Sequence, residues 1–160
     1  MILSFLNFNN SFSHKIPIME IREVNSYSAA VKSQIDDFLV LLTKNEVSFT
    51  AATLKEIISS DSSHLFFAFD ADKNCMGMLT IGIYISPTGK KAWIEDVVVS
   101  ESYRGQGIGK KLMDFAIQFV KEQGVSLLML TSNPARVAAN NLYVKLGFEK
   151  KETNVYRMVY

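Results

Sequence analysis

The stretch Tyr103-Arg104-Gly105-Gln106-Gly107-Ile108-Gly109-Lys110 places glycine at every second position, just ahead of an apolar run with helical spacing. Glycine costs backbone entropy in an ordered segment, so the repeat calls for a conformational or steric reason. Holding a phosphate is one such reason, yet two familiar phosphate loops fail. A P-loop needs Gly-x4-Gly-Lys followed by Ser or Thr; counting back from Gly109 lands on Arg104, and Lys111 stands where the hydroxyl belongs. The dinucleotide fingerprint fails in both registers, because Lys110 or Leu112 occupies the position of its last small residue. What remains is a loop joining a strand to a helix, with the N–H groups of residues 105–110 gathered at the positive end of a helix dipole. Such a junction binds pyrophosphate without side chains. Gly107 and Gly109 allow close approach, and Arg104 and Lys110 add charge nearby. A tight strand–helix turn with solvated basic residues accounts for the same spacing without a ligand.

Other reactive residue types are sparse. Cys75 is the sole cysteine, which rules out an internal disulfide and suits a reducing, cytoplasmic compartment. It sits in an apolar stretch and reads as a small core residue rather than a nucleophile. His14 and His64 have no Cys or second His near them at ligand spacing, so no metal is expected.

The elements that must position the loop follow from composition and period. A chain of 160 residues defaults to one domain with a real core. Hydrophobic residues make up 48% and charged residues 21%, the balance of an ordinary globular protein. Net charge is +1 and no basic run exceeds two residues, so a broad nucleic-acid footprint is not expected. Apolar stretches fall well short of the roughly 20 residues that cross a bilayer, so no membrane partner is expected either. Residues 1–17, MILSFLNFNNSFSHKIP, lack a charged n-region and arginines, and read as an appendage outside the core, with Met19 an alternative start. The competing reading is an extra strand or an arm swapped in a homodimer, which would bury Ile2, Leu3, Phe5, Leu6 and Phe8.

Periodicity then gives the core, residues 18–160. PIMEIREV (17–24) alternates as a strand. Ser26 or Ser28 caps a helix carrying Val31, Ile35, Phe38, Leu39 and Leu42, and a second helix over 51–59 follows Thr50. HLFFAFD (64–70) and CMGMLTIGIYIS (75–86) flank a hairpin turn, and KAWIEDVVVS (91–100) is the next strand. A helix after the glycine loop ends at Gly124, with Ile108, Leu112, Phe115, Ala116 and Phe119 on its buried stripe. SLLML (126–130) is a short strand, a helix runs from about 135 to Leu146, and residues 148–160 form one or two closing strands. The order β-α-α-β-β-β-α-β-α-β-β describes an α/β (α+β) fold, a mixed sheet flanked by helices.

Residues 104–109 match the R/Q-x-x-G-x-G/A signature of the GNAT superfamily of acyl-CoA-dependent N-acetyltransferases. IEDVVVSESYRGQGIGKKLM (94–113) resembles that family's strand, loop and helix around the signature. AANNLYVKLGFEKKETNVYRM (138–158) resembles its following helix and last strands, including a Tyr-x-x-x-Gly-Phe element at Tyr143, Gly147 and Phe148. The resemblance implies a centrally splayed sheet and a loop, Arg104 to Lys110 with Gln106 and Ile108, that holds the pyrophosphate of acetyl-CoA. It implies that Val97, Val98 and Val99 pair through their backbone with the pantetheine arm, as a strand edge can. An N–H from the same stretch would stabilise the tetrahedral oxyanion. VVV is a buried strand on either reading.

The implied chemistry is amine attack on a thioester, which needs a neutral amine, an oxyanion site and a proton for the departing thiolate. Tyr143 falls at the family's general-acid position; a phenol of ordinary pKa ~10 stays protonated at neutral pH. Two departures stand out. Many members carry Asn seven residues before that tyrosine, where this chain has Arg136; Asn140 shares its helix face and is the cofactor-side candidate, and Arg136 could meet a phosphate instead. Several protein-acetylating relatives place a carboxylate at a strand end, where this chain has Thr131-Ser132-Asn133. Glu95 and Asp96 are the nearby carboxylates. Alternation puts Glu95 on the face of Trp93 and Val97, and Glu95 is the candidate base through water.

The acceptor is chosen in this family by segments equivalent to TKNEVSFT (43–50) and to KETN (151–154); Glu46 could meet a cationic amine, but a solvated loop carboxylate is the simpler reading. A small primary amine, an amino acid, a protein α-amine and a lysine all remain open. A non-catalytic acyl-CoA-binding sensor or assembly module is the alternative that uses the same loop.

Overall fold

A computed structural model describes residues 19–43 and 47–160. The expectations for residues 1–17 and for Glu46 lie outside the described residues. The elements are β1 (Glu20–Glu23), α1 (Ala29–Leu42), α2 (Ala51–Ser59), β2 (Ser63–Phe69), β3 (Cys75–Ser86), β4 (Gly89–Val99), a 3₁₀ turn (Glu101–Tyr103), α3 (Ile108–Glu122), β5 (Leu127–Leu130) and α4 (Val137–Lys145). Among the described residues no helix is long and apolar enough to cross a membrane.

Local chemistry sets the boundaries. Ser28, not Ser26, caps α1 by accepting the Val31 N–H at 3.1 Å, and Thr50 caps α2 through Thr53 at the same distance. Asp70 closes the β2–β3 hairpin by accepting the N–H groups of Asp72 and Asn74, both at 2.9 Å.

The strands lie in the order β1-β2-β3-β4-β5. The first three pairings are antiparallel, and β4 pairs with β5 in parallel. Alternation along β2 sends Phe66 and Ala68 to one face, Leu65 and Phe67 to the other. The first face joins Met76, Leu79, Ile81, Ala92 and Ile94 to the α3 residues Ile108, Leu112, Met113, Ala116 and Val120. The second packs Leu65, Phe67, Met78 and Val98 against Ile35 and Phe38 of α1 and Leu54 of α2. Each buried Val, Leu, Ile, Met or Phe among them contributes about 1.5–3 kcal/mol. Phe115 and Phe119 rim the first cluster, where both rings meet Phe66 edge-on at 4.9 and 5.0 Å.

The closing strands expected over 148–160 are not formed. Residues 149–160 carry no regular secondary structure and stay exposed, Val155 and Tyr156 by 74% and 88%. The physical reason lies on both sides. Glu149 to Asn154 is a polar run with no apolar face to bury. β5, with four residues, offers a short edge for the apolar residues that follow.

Candidate active site

The site begins with a defect in β4. Thr80 faces Glu95 and Met78 faces Val98, so Leu79 alone opposes both Asp96 and Val97. This is a β-bulge, and Asp96 takes its left-handed backbone at φ 53°, a conformation Asp tolerates better than most residues. The bulge resets alternation. Ala92 and Ile94 face α3, and beyond the bulge Val97 and Val99 also pack on that cluster, while Val98 joins the α1–α2 side. The expectation that Glu95 and Val97 share a face is therefore corrected. That expectation requires uninterrupted alternation, and the inserted residue moves Val97 across.

At the same place the sheet opens. β5 pairs with β4 only from Lys91↔Leu127 to Ile94↔Leu130. Beyond Ile94 the two strands part, leaving the edge of residues 95–99 facing the gap. Ser132, in the segment that leaves β5 here, has a buried hydroxyl without a hydrogen-bond partner among the described residues.

The glycine loop continues from the end of β4. Gly105 and Gly107 sit at φ 76° and 79°, and Gly107 is the N-cap of α3. An L side chain rarely adopts this backbone, which explains glycine at Gly107. The first α3 bond runs from Lys111 N–H to the Gly107 carbonyl at 3.1 Å, so the N–H groups of residues 107–110 have no acceptor within the helix. A Cβ built on Gly105 or Gly107 would meet nothing within 4 Å, so the backbone here faces open space. The residues present fit an anion such as pyrophosphate. Gly109 is different: its missing Cβ would lie 3.8 Å from Val99 and 3.9 Å from Leu142, marking where β4, the loop and α4 converge. Arg104 donates to the Val99 carbonyl at 3.3 Å and to Glu101 at 3.1 Å. Lys110 pairs with Asp114 at 2.7 Å, and the Gln106 amide donates to the Ser102 carbonyl at 3.0 Å. Ile108 is buried in the core and anchors the helix start.

α4 brings Tyr143 to this junction, and the Tyr-x-x-x-Gly-Phe spacing has a physical cause. The helix ends in a Schellman motif: Phe148 N–H reaches the Tyr143 carbonyl at 3.0 Å, Gly147 N–H reaches Val144 at 3.0 Å, and Gly147 lies at φ 92°. The same closure sets the Phe148 ring edge-on to Tyr143 at 6.1 Å. The tyrosine is fixed from its backbone and from its ring, while its hydroxyl carries no hydrogen bond among the described residues. Burial pushes its pKa upward, and the nearby Arg136 charge partly opposes that. The Arg136 guanidinium itself donates to the Leu42 carbonyl at 3.0 Å, closing the end of α1 rather than facing the loop. Asn140 shares the face of α4 but spends its amide on the Asn133 carbonyl at 3.0 Å. It braces the segment entering α4.

Glu95 and Asp96 are exposed by area, yet their carboxyls lie against enough protein to lose hydration. That raises both above the usual carboxylate range, and for Glu95 the Asp96 charge adds to the rise. Between the ordinary pKa and the raised one the folded chain holds more protons than the unfolded chain, so stability falls as pH rises through that window. Asp96→Asn keeps the left-handed preference and cannot ionise. Thermal unfolding should show a higher Tm than the parent at neutral pH, with the difference shrinking as pH drops below the carboxylate range.

The structure thus brings together Val97–Val99, residues 104–110 and α4 with Tyr143, and leaves Asn140 and Lys110 with partners inside the chain. Cys75 stands apart: burial pushes its thiol up to about 12, the state of an unreactive core residue. A cavity of about 490 Å³ lined by His64, Tyr84 and Lys90 lies at the other end of β4, about 30 Å along the strand from the loop. Sequence reasoning missed the lone hydroxyl of Ser132, whose only signal was the absent carboxylate around it.

A family model described as the acetyltransferase (GNAT) family matches residues 32–148. Streptothricin acetyltransferase of Streptomyces lavendulae is 33% identical over 86 residues, 54% of this chain and 44% of that protein. The chain spans less than half the length of the first curated relatives it matches. Among solved structures, one described as a transcriptional regulator from Bacillus halodurans C-125 shares 28% identity at TM-score 0.72, covering 89% of this chain and 99% of that one. A "predicted acetyltransferase with acetyl-CoA" from Clostridium acetobutylicum has the same fold at TM-score 0.70 and 15% identity, covering 88% and 96%. With an open mixed sheet, a glycine-opened α3 and a family match over most of its length, the chain belongs to the GNAT acetyltransferase family.

Proposed function

We propose that this chain is an N-acetyltransferase that moves an acetyl group from acetyl-CoA to a primary amine by direct attack through a tetrahedral intermediate. The observation that carries the reading is the run of residues 95–110, in which a bulged strand whose β5-facing edge is unpaired leads into a helix start opened by Gly107. Family membership and the neighbour described with acetyl-CoA support the same ligand. The single domain spans residues 18–160, and its free thiol suits the cytoplasm.

Acetyl-CoA supplies the thioester carbon that the amine attacks. On this reading the N–H groups of residues 107–110 receive its pyrophosphate, and the edge of Val97–Val99 receives the pantetheine amides. A β4 N–H polarises the thioester carbonyl and holds the oxyanion. The amine nitrogen bonds to carbon, the C–S bond breaks as the tetrahedral intermediate collapses, Tyr143 gives its proton to the thiolate, and the second proton shed by the nitrogen returns through water to the Tyr143 phenolate. Glu95 takes the proton that the ammonium acceptor must lose, through water, and its raised pKa suits that task.

Glu95→Gln should therefore lower turnover most near neutral pH, and raising the pH toward the amine's own pKa should restore much of it. Profiles of turnover against pH check this with one amine held saturating. The parent's acid limb should lie above the ordinary carboxylate range, and Asp96→Asn should move it down by removing one cause of the rise. A Glu95→Gln profile parallel to the parent's makes Glu95 structural.

The experiment that tests the reading as a whole is a screen of acetyl-CoA against small amines, amino acids and peptides, following free thiol. Acceptor-dependent thiol release is expected. Tight binding with no release for any acceptor would instead assign a sensor or assembly module.

A further inference from the structure

We infer that Asp70 and Tyr103 form a strut that holds the glycine loop in register for pyrophosphate, making both of them positioning residues. The inference rests on the acetyl-CoA reading above. Tyr103 closes the 3₁₀ turn and stands two residues before Gly105, the first left-handed position of the glycine loop. Its hydroxyl donates to Asp70 Oδ2 at 2.8 Å, across 33 positions of sequence. Asp70 cannot swing away. Its Oδ1 accepts the N–H groups of Asp72 and Asn74, and the Asn74 amide donates to Oδ2 at 3.0 Å. These bonds, led by Asn74 and Tyr103, hold the carboxyl below its usual range, so the acceptor is a locked anion at neutral pH.

The rest of the loop lacks such a tie. The Arg104 and Gln106 side chains reach only as far as Val99, Glu101 and Ser102. Among the described residues, Tyr103–Asp70 is the one side-chain hydrogen bond linking residues 101–109 to a distant part of the chain. The Tyr103 ring packs on the α3-side core, so that the ring fixes its depth and the hydroxyl its direction. A seat made only of backbone N–H groups depends on where that backbone is held. The β2–β3 turn holds it.

Tyr103→Phe keeps the ring and loses the bond. Calorimetry should show coenzyme A affinity reduced about 3- to 10-fold, the worth of one net hydrogen bond. Pantetheine, which lacks the pyrophosphate, should bind the variant as it binds the parent, measured by NMR titration. In an Asp70→Asn background, Tyr103→Phe should cost less than it does alone, because the two act as one unit. Equal losses for coenzyme A and pantetheine would reduce the pair to a general structural role, and an unchanged coenzyme A affinity would remove the strut. A parent that fails to bind coenzyme A at all would overturn the acetyl-CoA reading and the strut with it.

Discussion

Gly107→Asp should abolish coenzyme A binding while leaving the fold in place. The N-cap of α3 sits at φ 79° with nothing within 4 Å of the missing Cβ, so the added side chain enters open space. Asp is among the few residues that visit this backbone region, so the strain is modest. What changes is the seat. A carboxylate about 4 Å from a phosphate charge costs about 4 kcal/mol at an effective dielectric of 20, or roughly a thousandfold in affinity. Gly107→Asn adds the same bulk without the charge and should lose far less. Calorimetry on both variants, with circular dichroism to show the helices intact, separates repulsion from shape. Unchanged affinity in Gly107→Asp would place the pyrophosphate elsewhere.

Tyr143→Phe should lower turnover by ~10²–10⁴-fold with little change in acetyl-CoA affinity, the range expected when a general acid is removed. The Schellman closure at Gly147 and the Phe148 ring hold the side chain without help from its hydroxyl, so packing should survive. Because burial raises the tyrosine pKa, the parent should stay active into alkaline pH, beyond the ordinary phenol range. Tyr143→Phe should show no alkaline rescue of the kind expected for Glu95→Gln, since a neutral amine does not replace a proton for the thiolate. The measurement is steady-state turnover across pH for parent and variant. Full activity in Tyr143→Phe would mean that the thiolate leaves unassisted or takes its proton from another group.

The parts of this fold that are legible in sequence are those written in local periods. Val31, Ile35, Phe38 and Leu42 mark α1, and alternating Phe66 and Phe67 mark β2, because burial on one face imposes spacing directly. The glycine loop and the Tyr143–Gly147–Phe148 spacing are equally local, each set by left-handed backbone at a helix end. The bulge at Asp96 is not legible, since it exists only as a mismatch between two strands and neither strand shows it alone. One inserted residue was enough to separate Val97 from Glu95. The partners of Asn140 and Arg136 lie on other segments, Asn133 and Leu42, and helical spacing alone could not assign them. The same holds for Tyr103 and Asp70, which meet only because the β2–β3 turn folds back beside the loop. The closing strands failed for the opposite reason: Val155 to Tyr160 has strand-like composition, but composition does not supply a partner edge.

The proposed activity requires one arrangement, acetyl-CoA lying along the unpaired, β5-facing edge of β4 with its pyrophosphate at Gly107 and its sulfur beside Tyr143. A crystal structure with acetyl-CoA measures that arrangement directly. Pyrophosphate oxygens should accept from the N–H groups of residues 107–110, pantetheine should lie alongside residues 95–99, and the Tyr143 hydroxyl should come within hydrogen-bonding distance of the sulfur. Acetyl-CoA seated in the cavity near His64 and Lys90, or bound at the helix start with the Tyr143 hydroxyl turned away from the sulfur, would contradict it.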